Sequence, residues 1–149
     1  MSEIKKRLAS LLESPKDNTQ EKLQKICRLL DQEIPYFSWT GFYFRNGDKE
    51  ELILGPYVGE ATDHTVIPFG KGICGQVAVS NETFVVPDVS KEDNYLSCSV
   101  STKSEIVVPI FKDGKNIGQI DIDSHEIDPF TADDREMLEW LCEEVAKIL

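Results

Sequence analysis

Four cysteines, Cys27, Cys74, Cys98 and Cys142, carry the strongest potential chemistry in the sequence. They are far apart and form no C-x-x-C pair, which argues against a cysteine-built zinc site and against a thioredoxin-type redox motif. Cys27 and Cys142 fall within apolar stripes at helical spacing, the usual setting of a buried core thiol. Cys74 and Cys98 differ: each lies among Gly, Ser or Asn at the edge of an element, where partly accessible thiols react. Spacing alone leaves both a reactive and an inert role open for them. A second group is acidic. Glu105 opens one strand-like run, and Asp121 and Asp123 stand two apart in the next. Strand side chains alternate, so Asp121 and Asp123 share a face while Ile120 and Ile122 point the other way. A solvated sheet face explains isolated acids; three clustered beside an expected pocket fit a binding site better. The same alternation puts Trp39, Gly41 and Tyr43 on one face and Phe42 and Phe44 on the other. Alone this reads as a core aromatic ladder. Flanked by carboxylates, an aromatic wall suits a small amine-bearing ligand with an apolar arm.

These residues need elements to hold them. Ile4, Leu8, Leu11 and Leu12, then Leu23, Ile26, Cys27 and Leu30, recur at helical spacing and predict two amphipathic helices joined by a turn at residues 14–18. Beyond Pro35, aromatic and β-branched runs at 37–44, 51–57 and 64–67 predict three consecutive antiparallel strands. A short helix-like stretch follows at 73–80, then a strand at 83–86 and a long polar loop at 88–103, of the kind that is often functional. Residues 105–111 and 116–123 form a hairpin around Asp113 and Gly114. The last helix opens on a capping-box-like run from Thr131 to Asp134 and carries Leu138, Leu141, Cys142, Val145 and Ile148 on one face. This order predicts an α+β fold: an antiparallel sheet, the N- and C-terminal helices packed on one face, and a ligand pocket on the other. Helices at both ends allow a homodimer.

The chain has 149 residues, the size of one domain, and splitting it leaves cores too small to be stable; residues 1–149 are read as a single unit. A net charge of −11 repels nucleic-acid backbones and anionic membranes, and neither is expected as a partner. The first residues mix Lys5, Lys6 and Arg7 with Glu3 and Glu13 and lack a secretory signal pattern, so the expected address is the cytoplasm, where thiols start reduced.

Several segments together resemble the free methionine-(R)-sulfoxide reductases, GAF-fold enzymes that reduce the free amino acid: Trp39-Thr-Gly-Phe-Tyr43, Leu54-Gly-Pro56, the run from Ile67 to Gly75, Asp88-Val89, the run from Ser104 to Pro109, and Ile120-Asp-Ile-Asp-Ser124. Any one motif is weak; in order and at family-like spacing, the set is specific. The resemblance implies a GAF-type sheet. It also implies that Cys98 is the nucleophile, that Cys74 serves in resolution, that Glu105, Asp121 and Asp123 line the substrate site, and that Trp39 and Tyr43 pack on the methyl-sulfoxide end. The implied cycle passes through a Cys98 sulfenic acid and a Cys74–Cys98 disulfide reduced by a thioredoxin-like partner, with no cofactor and no metal.

The sequence departs from the family pattern twice. His64 stands where many members carry a third cysteine, so either two cysteines suffice or an external thiol resolves the intermediate. The run Tyr95-Leu-Ser-Cys-Ser99 replaces the common His-Ile-Ala-Cys-Asp. GAF domains host many functions. The competing readings are a non-catalytic ligand-binding or redox-sensing module and a structural dimerisation domain; the cysteine pair with all three acids favours the enzyme.

Overall fold

The computed structural model describes residues 2–95 and 101–149. Helices α1 (Ser2–Glu13) and α2 (Thr19–Glu33) lead into strands β1 (Trp39–Arg45), β2 (Glu51–Val58) and β3 (Val66–Pro68). Helix α3 (Gly72–Ser80), strand β4 (Phe84–Val86), the hairpin β5 (Ser104–Lys112) and β6 (Lys115–Ser124), and helix α4 (Ala132–Ala146) complete the chain. The six strands form one antiparallel sheet in the order β3-β2-β1-β6-β5-β4, which joins the two halves of the chain through the β1–β6 pair. This is the α+β layout the sequence predicts.

The helices begin where their caps dictate. Asn18 accepts from the Glu21 amide while Glu21 reaches back to the Asn18 amide, and Thr131 and Asp134 make the same reciprocal pair at α4. Each such cap satisfies amides that have no partner in the first turn and contributes about 1 kcal/mol. Asp134 is itself buried and accepts a 2.7 Å hydrogen bond from the Tyr36 hydroxyl, tying α4 to the chain entering β1.

Alternation along the strands divides the apolar side chains between two cores. Phe42, Ile106, Val108, Ile110, Ile120 and Ile122 face α1, α2 and α4, where Cys27 and Cys142 are also buried. On the opposite face Trp39, Tyr43 and Val107 pack with Cys74, Ile73 and Val77 of α3. Helix α3 packs on β5 and β6 and against β3. Its approach needs glycine: Gly70 and Gly72 have φ of 87° and 64°, and a Cβ at Gly75 would sit 2.7 Å from the Pro68 carbonyl oxygen.

Most boundaries shift by a residue or two, and two departures from the sequence reading have a clear physical cause. β1 starts at Trp39, because the Phe37 amide is taken by the Ile34 carbonyl in a turn that ends α2. Within the stretch read as a loop, residues Val89–Lys91 form a 3₁₀ turn capped by Asp88, whose side chain accepts from the Ser90 amide. Among the described residues no helix is long and apolar enough to cross a membrane.

Candidate functional site

The sheet face opposite the terminal helices carries a polar cluster built by register. Trp39 of β1 lies beside Asp123 of β6, which lies beside Glu105 of β5; the next row on that face runs Gly41, Asp121, Val107, and the next Tyr43, Gln119, Pro109. Glu105, Asp121, Asp123 and Gln119 are all buried, at 3% exposure or less. Above them α3 places Cys74, whose sulfur is 3.8 Å from Glu105 Oε2. Gln119 fixes that helix turn, its side-chain amide donating to the Cys74 carbonyl at 3.1 Å.

Of the residues singled out in the sequence, Cys74, Glu105, Asp121 and Tyr43 line one cavity, together with His64, Ile67, Lys71, Gly72 and Ile73. Asp123 and Trp39 stand next in register but do not line it. Cys98 lies outside the described residues. The cavity offers only about 10 Å³ of free space, room for a single water-sized body and far less than an amino acid needs. Larger grooves occur elsewhere: one of about 420 Å³ between α1 and α2 contains no thiol and no carboxylate, and one of about 490 Å³ beside α4 contains Cys142, Glu82, Glu139 and Glu143 but none of the residues assigned to the site.

Two aromatic side chains tie the β2–β3 connection to the site. Trp39 Nε1 donates to the Glu60 carbonyl at 3.0 Å, and the Tyr43 hydroxyl donates to the His64 carbonyl at 2.8 Å. Tyr57 stacks on Trp39 at 5.4 Å and extends the wall beyond what the W-T-G-F-Y motif shows. Gly41 lets the indole lie flat: a Cβ there would be 2.4 Å from the Trp39 ring and 2.8 Å from Tyr57 Cβ. Gly41→Ala is therefore expected to cost about 1–3 kcal/mol through overpacking. A thermal melt should show a Tm lowered by several degrees, and an unchanged Tm would mean the indole moves aside freely.

A model of the GAF domain family matches residues 16–149. The free methionine-R-sulfoxide reductase of Saccharomyces cerevisiae is 46% identical over 112 residues, covering 74% of this chain and 62% of that protein. The free methionine-R-sulfoxide reductase of Escherichia coli is 34% identical over 127 residues, covering 85% of this chain and 75% of that protein. The chain belongs to the GAF-domain free methionine-(R)-sulfoxide reductase family. Among solved structures, the free methionine-R-sulfoxide reductase of Neisseria meningitidis in complex with its substrate superposes with a TM-score of 0.92 at 34% identity, covering 99% of this chain and 86% of that one. The match thus spans just under two thirds of the yeast reductase and more of the others.

In this member of the reductase family, electrostatics at the cavity favour bound protons. Burial pushes the Glu105 carboxyl well above the usual carboxylate range, and the neighbouring Asp121 and Asp123 push it further. Burial also raises Asp121, against the opposing effect of hydrogen bonds from Glu105 and Cys74. The two carboxyls behave as one unit that retains a proton. Burial and the nearby acids keep the Cys74 thiol protonated too. Its sequence setting suggested partial access; the packing of α3 against the sheet instead leaves it 4% exposed.

Sequence reasoning passed over Gln119 and Asn94. Gln119 shares the parity of Asp121 and Asp123, and that alternation was the available signal. Asn94 binds the start of α3 from both sides, donating to the Gly70 carbonyl at 2.6 Å and accepting from the Gly72 amide at 3.0 Å. Nothing in its loop context announced that role.

Proposed function

We propose that the protein reduces free L-methionine-(R)-sulfoxide to methionine at this cavity, as a cytoplasmic thiol-dependent enzyme. The observation that carries the reading is the Cys74 thiol beside the proton-holding Glu105–Asp121 pair, in a chain of this family. Cys98 attacks the sulfoxide sulfur as a thiolate while a carboxyl of that pair protonates the sulfoxide oxygen. The hydroxyl passes to the Cys98 sulfur; methionine leaves with its sulfur reduced by two electrons, and Cys98 is left as a sulfenic acid. Cys74 condenses with it, releasing water and forming a disulfide that a thioredoxin-like dithiol reduces by exchange. Asp123 and the remaining carboxylate hold the substrate ammonium, and Trp39 and Tyr43 pack on its methyl-sulfoxide end. Asn94 supports this assignment, because it pins the chain to the N-terminus of α3 four residues before Cys98. The cavity must widen to admit the substrate, and the β2–β3 connection, which contributes His64 to its lining, accepts hydrogen bonds from Trp39 and Tyr43 of the site.

The test is consumption of free L-methionine-(R)-sulfoxide with dithiothreitol or thioredoxin, followed by thiol mapping of the oxidised protein. Turnover is expected under both reductants, with Cys74 joined to Cys98 and with Cys27 and Cys142 still thiols. No turnover under either reductant would return the chain to the ligand-binding GAF reading. A disulfide to Cys27 or Cys142 would remove Cys74 from the cycle.

A further inference from the structure

We propose that, in the reduced protein, Cys74, Glu105 and Asp121 form a binding site for a zinc ion. The ligand atoms of these three buried side chains all lie within 4.8 Å of one another. They come from three elements, α3, β5 and β6, that frame the small cavity. Tetrahedral zinc with bonds of about 2.3 Å to sulfur and about 2.1 Å to oxygen needs its sulfur and oxygen ligands about 3.6 Å apart; Cys74 Sγ and Glu105 Oε2 are 3.8 Å apart. The cavity holds one water-sized body, the volume of an ion rather than of an organic ligand. An independent feature points the same way. Asp121 is 1% exposed and lines this cavity, yet its Oδ1 accepts no hydrogen bond among the described residues. A buried acceptor left in this way is costly, and a cation at the centre of the trio would satisfy it.

The donor set selects the metal. One thiolate with two carboxylates suits zinc, whereas magnesium and calcium require about six or more oxygens. A water can take the fourth position, as in three-ligand zinc sites. Spacing along the chain could not reveal such a site. The absence of paired cysteines excludes a cysteine-built centre, but not one assembled from a single thiol and two strand carboxylates. Ligated zinc and a Cys74 disulfide exclude each other, so zinc would hold the reduced protein in an inactive form until it is removed. The binding itself does not depend on the reductase reading.

The experiment is titration of zinc into the fully reduced protein against a chromogenic chelator, without substrate, together with X-ray absorption at the zinc edge. One ion per chain is expected, with a single sulfur neighbour and the rest oxygen or nitrogen. Because the thiol and carboxyls must lose protons to bind, calorimetry in buffers of different ionisation heat should show proton release. Cys74→Ser and Asp121→Asn, checked for folding by circular dichroism, should weaken zinc at least tenfold, and Cys98→Ser should leave it unchanged. A first shell without sulfur, zinc retained by Cys74→Ser, zinc lost in Cys98→Ser, or no stoichiometric binding by the wild type would each overturn the site.

Discussion

Replacing Cys98 by serine is expected to lower turnover of free methionine-(R)-sulfoxide by ~1,000-fold or more, the scale of removing a covalent nucleophile. The other three cysteines are held as thiols. Cys27 and Cys142 are buried in the helix-side core, and burial drives both thiols far above the range in which a thiolate exists at neutral pH. Cys74 is as deeply buried, and three carboxyl groups nearby disfavour its negative charge. Sulfoxide reduction needs the thiolate, which the proposed cycle takes from Cys98. Cys74→Ser should behave differently. It should still release one methionine per chain in a single turnover, then stall with thioredoxin while dithiothreitol sustains slower cycling. Rapid-quench measurement of methionine release separates the two variants. A Cys98→Ser protein that still gave a stoichiometric burst would place the attacking sulfur elsewhere.

Periodicity made most of the scaffold legible. The stripes of α1, α2 and α4 are strong signals because each helix turns one face to the core, and in β1, β5 and β6, which are buried on both faces, alternation sorts the side chains between an apolar core and the polar cluster. The same alternation correctly grouped Trp39, Gly41 and Tyr43, and Asp121 and Asp123, since a register of antiparallel neighbours turns sequence parity into a shared surface. What could not be read was depth. Cys74 sits between glycines, a context that suggests a loose edge, yet those glycines allow α3 to press against the sheet and bury the thiol. Gln119 looked like an ordinary strand amide because its value lies in a bond to the backbone of an element 45 residues away. Long-range pairing of this kind has no local signature, and the cavity's small size could not be anticipated either.

Glu105→Gln is the second change with a large expected effect, and it should move activity and stability in opposite directions. Glutamine keeps the shape of the side chain but can neither deliver a proton to the sulfoxide oxygen nor neutralise an ammonium group, so kcat/KM should fall ~100-fold or more. Glu60→Gln and Glu82→Gln, on exposed side chains, should stay within about twofold. Stability should respond the other way at high pH. The Glu105 carboxyl holds its proton more tightly folded than unfolded, because burial penalises its charge. The native state therefore binds more protons than the unfolded chain above the ordinary glutamate value near 4.3, and stability falls as pH rises through the raised native value. Glutamine never ionises, so the variant escapes that loss. Urea unfolding between pH 5 and pH 9 should show the wild type weakening more steeply than Glu105→Gln, with the variant gaining relative to wild type at the alkaline end. Parallel pH slopes would mean that Glu105 is already ionised in the native state. A variant that lost stability and activity together would make Glu105 a structural residue, because a carboxyl kept buried against its own electrostatics for the sake of chemistry should leave the fold better off when its charge is removed.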